Sequence, residues 1–173
     1  REIIEEAAQS AGIRPELLLA IAKQESRFSA NIRSSAGAVG FMQLLPSTAA
    51  SLSEQPLNEA DLMKASVNIP LGAAYLLELL EFWEGDPFRS IASYNAGPTT
   101  VANWPQPSRD DAIELWVERI PYPETRFYLK KVLDNLLSYA DRSPWQCRRD
   151  ETRMRETVAE NNSSEEQASQ QHH

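Results

Sequence analysis

Apolar positions recur along this chain at steps of three and four residues, and strict alternation is missing. Ile3, Ile4, Ala7 and Ala8 open the pattern, and Gly12 is placed to close the helix they predict. Pro15 is suited to a first helical position, and Leu17, Leu18, Ile21 and Ala22 carry the second helix toward Glu25, near its C-terminal end. The polar, glycine-bearing stretch 29–40 reads as a loop, Phe41 to Leu45 as a short apolar turn, and Ser47-Thr48-Ala49 as a new helix start. Residues 59–64 and 71–84 predict two helices, with Pro70 as a start or a kink between them. Pro87 begins a helix carrying Tyr94, Gly97-Pro98 breaks it, and a short helix through Val101 and Trp104 follows. Residues 110–119 and 125–140 complete the set, separated by Pro121-Tyr122-Pro123. The expected class is therefore all-α, with no period-two strand and no internal repeat.

After residue 148 the pattern stops. Residues 156–173 are rich in Glu, Gln, Ser and Asn, with Val158 as the one large apolar residue. Such a segment buries too little apolar surface to offset its ordering entropy. The expectation is a folded domain over 1–147 and a disordered polar tail over 148–173.

Composition narrows the chemistry. The chain has 173 residues, 42% of them hydrophobic, and a net charge of −8. No basic footprint for a nucleic acid is present, because Arg148, Arg149, Arg153 and Arg155 are interleaved with Asp150, Glu151 and Glu156. The longest apolar stretch, Leu71 to Leu80, is interrupted by Gly72 and Glu78, so no membrane span is expected. Cys147 is the single cysteine, and the two histidines, His172 and His173, lie at the end of the chain. A His/Cys zinc site and a Ser-His-Asp or Cys-His triad are thus disfavoured, and no metal or organic cofactor is expected. The chain opens on Arg1 and carries no apolar leader.

The informative segment is Gln24 to Thr48. A carboxyl at the end of the apolar helix Leu17–Ala22 risks desolvation, and the negative end of the helix dipole acts in the same direction. Both raise its pKa, and a carboxyl still protonated near neutral pH can serve as a general acid. Gly37 and Gly40 allow the following loop a positive φ or a close approach to a ligand. Gln43 offers a donor and an acceptor, and Phe41 and Met42 offer apolar surface. On position alone, however, a Glu at a helix end is usually a solvated surface residue, and Glu25 reads as one.

The order of residues resolves that ambiguity. Glu25-Ser26, Ser34, Gly37-Ala38, Gly40-Phe41-Met42-Gln43 and Pro46-Ser47-Thr48-Ala49 resemble the signature of the soluble lytic transglycosylases, relatives of goose-type lysozyme. Phe41 stands where that family usually has Leu. Asn68-Ile69, Leu71-Gly72 and Tyr75-Leu76 resemble its middle helix. Ser93-Tyr94-Asn95-Ala96-Gly97-Pro98 is similar to its Ala-Tyr-Asn-Ala-Gly motif, with Ser93 for Ala. Ile120-Pro121-Tyr122-Pro123-Glu124-Thr125-Arg126 and Tyr128 resemble the closing motif of the large soluble branch.

The resemblance implies a lysozyme-like helical domain with a substrate cleft. It further implies cleavage of the MurNAc–GlcNAc bond of peptidoglycan, with formation of 1,6-anhydroMurNAc and one catalytic residue, Glu25. By the same resemblance Ser34, Met42, Gln43, Tyr94, Asn95 and Glu124 are substrate-binding. Each has a structural alternative: loop and cap hydrogen bonds for Ser34 and Gln43, the core for Met42 and Tyr94, an Arg126 pair or helix-start role for Glu124. Ser26 is expected to hold the helix end, and Trp83, Trp104, Trp116 and Trp145 to lie in the core. The implied partners are glycan strands, acted on by a monomer in the cell envelope, on the periplasmic side. Competing functions are a lysozyme-type hydrolase with a second carboxylate from Asp61, Glu59, Asp86 or Glu124, a non-catalytic peptidoglycan-binding module, and a helical interaction protein.

Overall fold

The computed structural model describes residues 1–107 and 112–140. Trp145, Cys147, the basic group near 148 and the expected polar tail lie outside the described residues. Arg1–Tyr139 forms one compact unit; of a second unit, Ala140–His173, only Ala140 is described. Among the described residues there are nine helices: α1 (Glu2–Ser10), α2 (Pro15–Ser26), α3 (Pro46–Leu52), α4 (Glu59–Leu62), α5 (Ala65–Phe82), α6 (Pro87–Ala96), α7 (Pro98–Ala102), α8 (Ile113–Glu118) and α9 (Pro123–Ala140). No strand is present among them, only isolated bridges Arg33–Val39 and Val39–Leu44 in the long loop.

Helix α5 is the hub, packing against α1, α3, α4 and α6. Its buried residues, Asn68, Ile69, Gly72, Ala73, Leu76 and Leu79, follow helical spacing and form one stripe. The helix begins before Pro70 rather than at it, which corrects the expected break. Pro70 removes one early backbone donor, and Ser66, whose carbonyl loses that partner, is exposed to water. Helix α2 is buried on every side from Leu17 to Ala22. Each fully buried Leu or Ile there contributes about 1.5–3 kcal/mol, so the helix carrying Glu25 is firmly anchored.

Helix starts use the residues the sequence offers. Asn58 and Asp61 form a reciprocal capping box on α4. The Asp86 carboxylate accepts from the Phe88 and Arg89 amides and from the Arg89 guanidinium at the start of α6. Trp83, Trp104 and Trp116 are buried, as helical spacing suggested. Ser93, a departure from the family motif, accepts the Trp83 indole N–H at 2.7 Å. Among the described residues no helix is long and apolar enough to cross a membrane.

Candidate active site

Glu25 lies in the last turn of α2, whose end is fixed by the left-handed residue Arg27 (φ 52°), its N–H donating to the Lys23 carbonyl. Ser26 is buried, and its hydroxyl donates to the Phe41 carbonyl at 2.7 Å, tying the helix end to the apolar turn. The expected structural role of Ser26 is thus a tether between the two halves of the motif.

Among the described residues the Glu25 carboxyl has one side-chain hydrogen-bond partner. Tyr128, on the buried face of α9, donates its hydroxyl to Oε1 at 2.5 Å. Burial pushes the Glu25 pKa up from 4.5 to about 7, and the Tyr128 hydrogen bond offsets part of that rise. Burial and the neighbouring Glu25 charge together hold the Tyr128 phenol well above its usual range. A carboxyl that exchanges its proton near pH 7 is what general acid–base chemistry requires.

Tyr94 is also close to Glu25, since burial first and the Glu25 charge next raise its pKa. Its hydroxyl, however, donates to the Met42 carbonyl at 3.0 Å. The tyrosine whose hydroxyl engages Glu25 is therefore Tyr128. Tyr128 was visible in the closing motif, on the same helical face as Thr125, Leu129 and Val132. Its partner is 103 positions away, which no local spacing reveals.

The loop after α2 is built around an asparagine that carried no assigned role in the sequence. Asn68 is 0% exposed; its Oδ1 accepts from the Met42 N–H at 2.7 Å and its Nδ2 donates to the Val39 carbonyl at 3.0 Å. Gly40 (φ 81°) passes so close that an added Cβ would lie 2.5 Å from the Leu62 carbonyl and 2.6 Å from Asn68 Nδ2. Met42 is 0% exposed and sits against Gly72, where an added Cβ would be 2.4 Å from Met42 Cγ. Met42 is therefore in the core and not on an open surface, because Gly72 leaves room for its side chain. Its backbone, held by Asn68 and Tyr94, is what this turn contributes to the site.

Ser34 and Gln43 make loop hydrogen bonds. The Ser34 hydroxyl accepts from the Ala38 N–H at 3.0 Å. Gln43, itself at φ 48°, donates to the Gly40 and Ile32 carbonyls. Asn95 accepts the Thr125 hydroxyl at 2.7 Å, joining the end of α6 to the first turn of α9. Glu124 is exposed in that first turn, and Arg126 donates to the Glu118 carbonyl.

The other carboxylates considered from sequence serve elsewhere. Glu59 pairs with Arg33, Asp61 with Lys64 and the Asn58 amide, and Asp86 caps α6. None perturbs the Glu25 pKa. Among the described residues no group of three or more His, Cys, Asp or Glu side chains comes together.

The all-α scaffold thus presents a buried carboxyl, Glu25, beside the two tyrosines Tyr128 and Tyr94. The Transglycosylase SLT domain family matches residues 2–117, and the chain belongs to that family. The soluble lytic murein transglycosylase of Escherichia coli (strain K12) is 37% identical over 122 residues, covering 66% of this chain and 19% of that protein. Membrane-bound lytic murein transglycosylase C of Actinobacillus pleuropneumoniae is 33% identical over 156 residues, covering 75% of this chain and 42% of that protein. An inactive glutamate-to-glutamine mutant of lytic transglycosylase Slt from Pseudomonas aeruginosa superposes with a TM-score of 0.78 at 37% identity. That likeness covers 82% of this chain and 24% of the Pseudomonas chain.

Proposed function

We propose that this chain cleaves the β-1,4 bond between MurNAc and GlcNAc in peptidoglycan, leaving a 1,6-anhydroMurNAc end. The observation that carries the reading is the Glu25 carboxyl, raised to about 7 by burial and partnered by the Tyr128 hydroxyl, with no second carboxylate among the described residues perturbing it. Protonated Glu25 gives its proton to the glycosidic oxygen as the bond from MurNAc C1 to that oxygen breaks. The N-acetyl group of the same sugar supports the positive charge at C1. The C6 hydroxyl of that sugar then attacks C1 and passes its proton to the Glu25 carboxylate, which restores the starting state. Attack within one sugar gains from effective molarity and needs no water held by a second carboxylate.

Tyr128 suits this cycle. A phenol held well above its usual pKa stays a donor throughout, stabilises the carboxylate after the first transfer and fixes its orientation. The inactive glutamate-to-glutamine mutant of the Pseudomonas relative is in keeping with a single essential carboxyl. The soluble and membrane-bound relatives, named for murein, support a place in the cell envelope.

Mass spectrometry of the soluble products from purified peptidoglycan tests the proposal. Muropeptides ending in 1,6-anhydroMurNAc are expected. Products heavier by one water, with reducing ends, would make the enzyme a hydrolase; intact sacculi with bound protein would make it a binding module.

A further inference from the structure

Two tyrosines lie beside Glu25, and both have protein partners for their hydroxyls: Tyr128 donates to Glu25 and Tyr94 to the Met42 carbonyl. A third tyrosine, Tyr75 on α5, packs behind this pair, its ring centroid 5.1 Å from that of Tyr94 and the planes tilted by 55°. It is half-buried, and it is close enough to Tyr94 and Tyr128 to add to the rise of both their pKa values. Its own hydroxyl has no hydrogen bond to any described residue. Yet no buried side-chain oxygen in the described structure lacks a partner, so the Tyr75 hydroxyl reaches solvent. Position on the helix agrees: the core stripe runs through Gly72, Ala73, Leu76 and Leu79, and Tyr75 lies on its flank, one turn before the exposed Glu78.

A ring packed on one side against a buried tyrosine, with a hydroxyl left to the solvent, is already ordered for a polar ligand. Little rotamer freedom remains for it to lose on binding. We propose that Tyr75 is a substrate-binding residue of the Glu25 site, its hydroxyl hydrogen-bonding a sugar of the bound glycan and its ring forming part of the wall beside Tyr94. The proposal rests on the reading of the site as glycan-cleaving. Tyr75 acts on affinity and not on the proton of Glu25, whose hydroxyl partner is Tyr128.

The test compares Tyr75→Phe with the wild-type protein on purified peptidoglycan, following initial rates against substrate concentration across pH. Tyr75→Phe keeps the ring against Tyr94, and its melting temperature is read alongside; Tyr75→Leu removes both features. Loss of one neutral hydrogen bond is expected to raise the apparent KM about three- to tenfold, with kcat nearly unchanged. The alkaline limb of the pH profile stays in place, and Tyr75→Leu raises KM further. An unchanged KM in both variants overturns the proposal. So does a fall in kcat with a displaced alkaline limb at constant KM, which would make Tyr75 a positioning residue acting through Tyr94 and Tyr128. If the wild-type protein cleaves nothing, the functional reading fails. Binding of wild type and Tyr75→Phe to sacculi then decides Tyr75 separately, equal retention overturning its role and weaker retention of the variant supporting it.

Discussion

The Val39–Gln43 turn and the Glu25 carboxyl meet in space and follow opposite rules. In the turn, Asn68 satisfies both the Met42 N–H and the Val39 carbonyl, Tyr94 satisfies the Met42 carbonyl, and Gly40 and Gly72 remove every Cβ that would interfere. At Glu25 a carboxyl is buried against its preference, with a single hydroxyl to compensate. The first region is optimised for stability and the second is held in a state that costs stability. The difference teaches that a destabilised group persists where its surroundings are over-determined.

The sharpest way to break the comparison is Glu25→Gln. A general acid–base group contributes typically 10²–10⁴-fold, so product release from peptidoglycan is expected to fall by at least about a hundredfold. Stability should move the other way. The folded protein holds the Glu25 proton up to about pH 7, whereas the unfolded chain releases it near 4.5. The folded state therefore binds more protons between those values, and stability is lost as pH rises through that window. Glu25→Gln removes this loss and is expected to be more stable than wild type at pH 8, by up to ~3 kcal/mol. Denaturant melts at pH 4.5 and pH 8 read it; an equal difference at both pH values would contradict the burial argument.

Asn68→Ala attacks the turn instead. It leaves the buried Met42 N–H and Val39 carbonyl without partners, at about 1–3 kcal/mol each. A clear drop in melting temperature is expected at every pH, with activity lost only as the turn loosens. If Asn68→Ala melts like wild type, the turn is held by something else.

Tyr128→Phe sharpens the carboxyl side. Without the hydroxyl, Glu25 loses the one interaction that lowers its pKa, so the alkaline limb of the rate profile should move to higher pH. The accompanying fall in kcat is expected to be about tenfold, the loss of one hydrogen bond to a charged group. A limb that stays put would remove Tyr128 from the proton cycle. The smallest effect is expected for Arg33→Ala, which breaks the ion pair with Glu59 on the outer side of the same loop. Both partners are well exposed, so a change under about 1 kcal/mol in a denaturant melt is expected; a larger one would show that the loop depends on that pair.

Much of this arrangement was legible along the chain. Helical spacing, Pro15, Ser47-Thr48-Ala49, Pro87 and Gly97 located most of the helices because local backbone preferences and one-sided burial act over a few residues. Glu25 was legible through the ordered motif that follows it, since a carboxyl at a helix end is by itself usually solvated. Pro70 misled, because its exposed position in α5 let helix form on both sides of it. For Met42 the choice between cleft and core stayed open along the chain, since the space that buries its side chain is made by Gly72, 30 residues later.

What the sequence by itself determined was the set of helices, the acidic residue at the end of α2 and a family signature in the right order. The tertiary structure alone decided which tyrosine holds Glu25, that Asn68 clamps the turn, that Asp61, Glu59 and Asp86 are engaged elsewhere, and that Tyr75 keeps a hydroxyl open to solvent. The physical reason is range. Helix formation depends on neighbours within a turn or two, whereas the pKa of Glu25 depends on burial and on a hydroxyl 103 residues away, brought together only when α2 and α9 pack.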